Sequence, residues 1–293
     1  MAYAYETEHA AADADGAPNA YHPDDLNKNC TRDPHVGLDC LANAGYPRTS
    51  WWKDVLVPDP ADPSKAFAQT SGPFRGFFVA MTSLRKPGGN KLDTSTYVDA
   101  TKVPYVVIPT GFGSLAHVAK QGDVGIATHL ENGKMTTFIV ADSGGGSDAK
   151  LGESSIALFV ALGGQNPNPR TGAGLPRGRI QYIIFPGSRR AGAAIWPRTN
   201  EDIHAQAMEL ASRTPGIEPE AVELREAAPM SPSLRGSGVR MDDAEPSATR
   251  RLPRRARKRR ALKTARKKRS PKAAKKRSSK RGKIRATRRA KQR

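Results

Sequence analysis

From Arg250 to Arg293 the chain carries 25 Lys and Arg and not one Asp or Glu. Its only large apolar residues there are Leu252, Leu262 and Ile284. That is too little to bury a core, so the segment is read as a disordered basic tail. Whatever folds must come from residues 1–249, which hold 23 basic residues and all 28 acidic ones, a net of −5. The formal charge of +20 thus describes two objects, a mildly acidic body and a polycation.

Lys and Arg at this density neutralise phosphates and release counterions, so non-specific binding to nucleic acid or another polyanion is expected of residues 250–293. No aromatic residue interleaves the charges, so stacking on bases is not expected. The Lys/Ala/Ser/Pro texture is similar to that of linker-histone tails. A solubilising or surface-adhering segment is the plainer reading of the same charges.

In the body, no stretch approaches the roughly 18–20 apolar residues of a membrane helix, so no membrane span is expected. The opening MAYAYETEHAAADADG has neither a basic n-region nor an apolar h-region. No conventional signal peptide is read there, which points to a cytoplasmic place or non-classical export. Cys30 and Cys40 flank TRDPHVGLD; a short disulfide and two free thiols both fit. Their spacing with His22 or His35 is unlike the usual zinc patterns, and no metal is expected.

Residues 1–70 read as an N-terminal extension that passes, after Trp51-Trp52, into a Pro-rich connector. A folded domain over 71–213, a linker over 214–249 and the tail over 250–293 follow. Strands are expected at Gly76–Ser83, Tyr105–Ile108, Asp123–Leu130, Lys134–Ala141 and Arg179–Ser188. Glu131-Asn132-Gly133 between two of them is a hairpin signal. A short helix is expected from the stretch SSIALFVALGG that follows Glu153, stopped by Gly163-Gly164. A second, to about Arg213, follows the capping box of Thr199-Asn200-Glu201-Asp202. No regular β–α–β alternation is present. The fold class expected is mainly β with short helices, around a small closed or nearly closed β-barrel.

Several chemistries lack their residues. The glycine-rich GGGSDAKLGESS has no Gly-Lys-Ser/Thr, so it is not a phosphate-binding Walker loop. No GxSxG elbow occurs, and the six histidines form no HExxH pattern. No cofactor is expected. Asp142 and Glu153 remain. The first ends a predicted strand and the second opens a predicted helix, with a glycine-rich loop between them that can fold both carboxyls toward one cleft. Glycoside hydrolysis needs such a pair, one carboxyl to protonate the leaving oxygen and one carboxylate to act on the other face. A turn Asp and a helix-dipole Glu would look the same from spacing alone.

The order of motifs resembles a known family. Tyr97-Val98-Asp99, Val103-Pro104-Tyr105-Val106-Val107-Ile108-Pro109, Gly122-Asp123-Val124-Gly125, Val140-Ala141-Asp142 and Lys150-Leu151-Gly152-Glu153-Ser154-Ser155-Ile156 are similar to the family 75 chitosanases of the glycoside hydrolases. So are Tyr182-Ile183-Ile184-Phe185-Pro186-Gly187-Ser188 and Trp196-Pro197. The loop after Asp142 departs from the family's Asp-Val-Gly-Pro, reading Asp142-Ser143-Gly144-Gly145. The resemblance implies a secreted endo-glycosidase that cleaves β-1,4 bonds of chitosan or a related amino-sugar polymer with inversion. It implies Asp142 and Glu153 as the catalytic pair. Burial at a strand end and a helix N-terminus would then lean toward Asp142 as acid and Glu153 as base. Asp123 is a candidate to bind a glucosamine ammonium, and Trp196 a candidate to stack on a sugar ring. The alternative is a nucleic-acid-associated protein whose hydrolase-like body only binds.

Overall fold

The computed structural model describes residues 2–26, 30–112, 118–145, 149–189 and 195–217. The chain divides into two units, Met1–Ser233 and Leu234–Arg293, and every described residue belongs to the first. The basic tail, and the expected linker beyond residue 217, lie outside the described residues.

Seven strands form one sheet: β1 (Tyr3–Thr7), β2 (Ala11–Asp13), β3 (Tyr105–Pro109), β4 (Val124–His129), β5 (Met135–Gly144), β6 (Glu153–Ser155) and β7 (Ile180–Phe185). Their order across the sheet is β1-β7-β4-β5-β3-β6-β2. The two edges are therefore consecutive in the chain, with only residues 8–10 between them. So short a link spans at most about 14 Å, and the sheet must curl until its edges approach. Both edges in fact meet the segment leading into β6. Thr7 Oγ1 donates to the Leu151 carbonyl at 3.5 Å, and the Ala11 N–H to the Gly152 carbonyl at 3.4 Å. The expected barrel is thus a curled half-barrel, mainly β with few helices.

Residue alternation along the strands explains why both faces of the sheet are buried. Tyr105, Val107, Val124, Ile126 and Ile139 belong to one apolar cluster. Val106, Ile108, Ala127, Phe138, Val140, Tyr182 and Ile184 belong to the other. The first is covered by Ile203, Ala207 and Ala211 of helix α3 (Asn200–Ser212), the second by Leu158, Phe159 and Leu162 in and after helix α2 (Ile156–Ala161). Burying one such side chain fully contributes about 1.5–3 kcal/mol, so the two clusters hold the curl from both sides. Helix α3 starts where the capping box predicts. Thr199 accepts the Asp202 N–H, and the Asp202 carboxylate takes the Thr199 N–H.

The hairpin around Glu131-Asn132-Gly133 is present, pairing β4 with β5 antiparallel, and Gly133 turns it with a φ of +69°. Two expectations are corrected. The stretch 76–83 forms no strand; its backbone closes only single bridges, Ala80 with Leu56 and Phe78 with Ala68, beside the short helix α1 (Trp52–Val55). Residues 1–70 are not a mere extension, because β1 and β2 are the two edges of the sheet and Ala14, Ala17, Ala20 and Tyr21 lie in its core. Cys30 and Cys40 are joined in a disulfide.

Candidate active site

Asp142 owes its direction to a β-bulge. Along β3 and β5 the pairs are Tyr105–Ile139 and Val106–Val140, and then Val107 faces Asp142, so Ala141 is passed over. Simple alternation would put Asp142 on the face of Phe138 and Val140. The extra residue turns it instead to the face of Tyr105 and Val107. There its Oδ1 accepts three hydrogen bonds, from the Ser83 N–H at 2.9 Å, the Ser83 hydroxyl at 2.6 Å and the Ser143 N–H at 2.7 Å.

Glu153 is the first residue of β6, not of a helix as the sequence predicts. Helix α2 starts three residues later, with Ser155 as its cap accepting the Leu158 N–H. The helix dipole therefore does not act on Glu153 in the way expected. The preceding Gly152 has a φ of +115°, and a Cβ there would stand 2.0 Å from the His9 carbonyl. Only glycine allows the β1–β2 link to close over this point.

That closure brings carboxylates the sequence reading missed. Strand β2 pairs parallel with β6 in the register Ala11–Glu153, Ala12–Ser154 and Asp13–Ser155. Asp13 Oδ1 accepts the Asp15 N–H at 2.8 Å, and its Oδ2 lies 3.0 Å from the Tyr105 hydroxyl. Asp15 Oδ1 accepts the Tyr21 hydroxyl at 2.8 Å. Asp13, Asp15 and Asp142 each bring an oxygen within 4.8 Å of the others. Carboxylates so close and so buried cannot all be ionised. Desolvation, and then the charge of Asp13, push Asp142 up to about 7. Desolvation, followed by the charges of Asp13, Asp142 and Asp39, pushes Glu153 up to about 8. Asp39 is pushed up to about 7, chiefly by burial. Among the described residues this trio is also the one group close enough to hold a cation, and no further observation assigns it one.

The other expected site residues stand elsewhere. Asp123 is fully buried, and its two oxygens accept the Lys120 and Arg189 N–H groups at 2.9 Å each. It staples a turn, and its carboxylate is withdrawn from water. Trp196 is buried in the core with Ile203 and Ala207, so its ring offers no face for a sugar to stack on. An open groove of about 600 Å³ instead runs along β1, lined by Tyr5, Thr7, His9, Phe112, Lys150 and Leu151. No pattern in MAYAYETEHAAADADG would have marked Asp13 or Asp15, because their partners Tyr105 and Asp142 lie about a hundred residues on.

A family model described as fungal chitosanase of glycosyl hydrolase group 75 matches residues 13–213. The chain belongs to this family. The match begins at Asp13, the first carboxylate of the trio, and takes in Asp142 and Glu153. No curated protein matches the chain. Membership supports glycoside hydrolase activity on chitosan.

Proposed function

We propose that this protein is an endo-acting chitosanase that hydrolyses β-1,4 bonds with inversion, Glu153 being the general acid and Asp142 the general base. The observation that carries the assignment is the contrast in hydrogen bonding. Three donors converge on Asp142 Oδ1, which favours its ionised form, whereas no donor to the Glu153 carboxylate is found among the described residues. The roles are thus the reverse of the lean drawn from the sequence. Glu153 protonates the glycosidic oxygen while Asp142 takes a proton from the attacking water on the opposite face. An acidic basin also suits a polymer whose amines carry positive charge.

Inversion of a β-bond releases the α-anomer first, because the water attacks from the face opposite the leaving group. Proton NMR of freshly cleaved chitosan oligomers reads this directly. The α-anomer signal is expected to rise before mutarotation; a β-anomer appearing first overturns the mechanism.

The basic segment supports a separate reading. Its 25 positive charges repel a polycationic substrate and attract a polyanion. Removing residues 250–293 is expected to leave chitosan turnover unchanged, or slightly raised at low salt. The same removal is expected to abolish most DNA binding in a mobility-shift assay, and that binding weakens steeply as salt rises in the full chain. Equal DNA binding by the shortened chain would remove this role.

A further inference from the structure

Asp13 does not fall within the acid–base pair, yet its carboxylate comes within 4.8 Å of Asp142, the base of that pair. It stands on β2, whose parallel pairing with β6 carries it two residues beyond the level of Glu153. One oxygen accepts the Asp15 N–H, and the other lies 3.0 Å from the Tyr105 hydroxyl, which the Asp15 carbonyl shares at 3.0 Å. Such donors favour the ionised form. Asp15 has one such donor, the Tyr21 hydroxyl, and burial among its neighbours raises it well above the ordinary carboxylate range. Burial raises Asp13 as well, but hydrogen bonds from the Asp15 and Ala14 N–H groups and the Tyr105 hydroxyl lower it, so the proton of the crowded trio goes to Asp15 ahead of Asp13.

We infer that Asp13 is a positioning residue for the hydrolysis: its negative charge, delivered by the closing strand β2, adds to burial in keeping on Glu153 the proton that the leaving oxygen requires. This rests on the assignment of Glu153 as the acid. Burial raises Glu153 above the ordinary glutamate range and the charge of Asp13 raises it further, so the proton is still in place near neutral pH, where a general acid has to hold it. Asp13 does not touch the glycosidic oxygen in this scheme; it acts through Glu153.

The groups that bear on Glu153 come from several elements. Asp13 faces it from β2, Asp142 from β5 and Asp39 from the N-terminal segment. Tyr105 of β3 and Tyr21 enter only through the carboxylates they hold. His9 and Lys150 line the groove beside Leu151 and can carry positive charge. Of the charges on Glu153, that of Asp13 ranks first. Replacing it should therefore move Glu153 more than replacing Asp39.

The test uses the full chain with carbon-13 in its Asp and Glu carboxyls, Glu153 being assigned by its loss in Glu153→Gln. In Asp13→Asn the titration midpoint of Glu153 is expected to fall by roughly one pH unit or more. The alkaline limb of kcat/KM on chitosan is expected to move down by the same amount, while Asp13→Glu restores both. Tyr105→Phe removes a donor and leaves the carboxyl, so it should move the midpoint in the same direction by less, and it serves if Asp13→Asn does not fold. An unmoved Glu153 midpoint in the folded variants, or a loss of rate equal at every pH, overturns the role of Asp13. If the parent chain proves inactive on chitosan, the functional assignment fails, and the carbon-13 midpoint alone still decides whether Asp13 holds the Glu153 proton.

Discussion

Glu153→Gln and Asp142→Asn are each expected to leave a folded chain that hydrolyses chitosan about 10²–10⁴-fold more slowly, the usual loss when a general acid or base is removed. Both changes keep shape and remove titration, so far-ultraviolet circular dichroism should not distinguish the variants from the parent. The working form needs Asp142 ionised, which holds above about 7, and Glu153 protonated, which holds below about 8. The parent profile of kcat/KM should therefore be a narrow bell near neutrality. Residual activity of Asp142→Asn should lack the acid limb, and that of Glu153→Gln should lack the alkaline one. Near-parental rates in either variant would end the two-carboxylate mechanism.

Arg170→Ala is expected to be the most damaging single change to stability. The Arg170 side chain is buried, and its guanidinium meets Asp25 Oδ2 at 2.6 Å and also pairs with Asp33 Oδ1. Its Nη2 further donates to the carbonyls of Gly37 at 2.7 Å and Asp39 at 2.9 Å. Both carboxylates are almost wholly withdrawn from water, with side chains 0% and 1% exposed. Removing the cation leaves Asp25 with only the Val36 and Gly37 N–H groups and Asp33 with only His35, and breaking a buried pair in this way costs about 3–5 kcal/mol. For a folded body of this size that is a fall in Tm of roughly 6–20 °C. Thermal melts of the parent and the variant check it, and an unchanged Tm would contradict the charge argument. Arg170→Lys should rescue little, because one ammonium cannot reproduce the fork that reaches four oxygens.

The sheet's central part was legible from sequence and its edges were not. Strands β3, β4, β5 and β7 announce themselves by apolar alternation, and Asn132-Gly133 fixes the register between β4 and β5. Helix α3 is legible because its cap is local, made by Thr199 and Asp202 within one turn. Strand β2 has three residues, Ala-Ala-Asp, whose pairing depends entirely on Glu153, Ser154 and Ser155 far along the chain. Nothing local distinguishes such a strand from coil. The stretch 76–83 fails in the opposite sense. It has the composition of a strand, but Val79 bonds Val57 and Phe67 in a small irregular cluster that uses up its backbone groups. Asp142 and Glu153 are candidates that the motifs single out, while the bulge at Ala141 that aims Asp142 was not legible. A bulge is a property of two strands together, and no single run of residues encodes it.

The curl of the sheet also dictates when the site can exist. Strand β1 pairs with β7, so Tyr3 must wait for Ile184, and β2 must wait for β6. During synthesis the first strand emerges long before either partner, and it stays unpaired until nearly two hundred further residues have left the ribosome. Contacts this distant in sequence carry a large loop-closure entropy and are made late. The hairpin of β4 and β5 can form early and locally, and with it Asp142 has its strand. Asp13 comes into place only with the last closure. A nascent or half-folded chain thus holds Asp142 without Asp13 beside it, and under the proposed mechanism hydrolytic competence arrives with the closure of β2 rather than accumulating along the way.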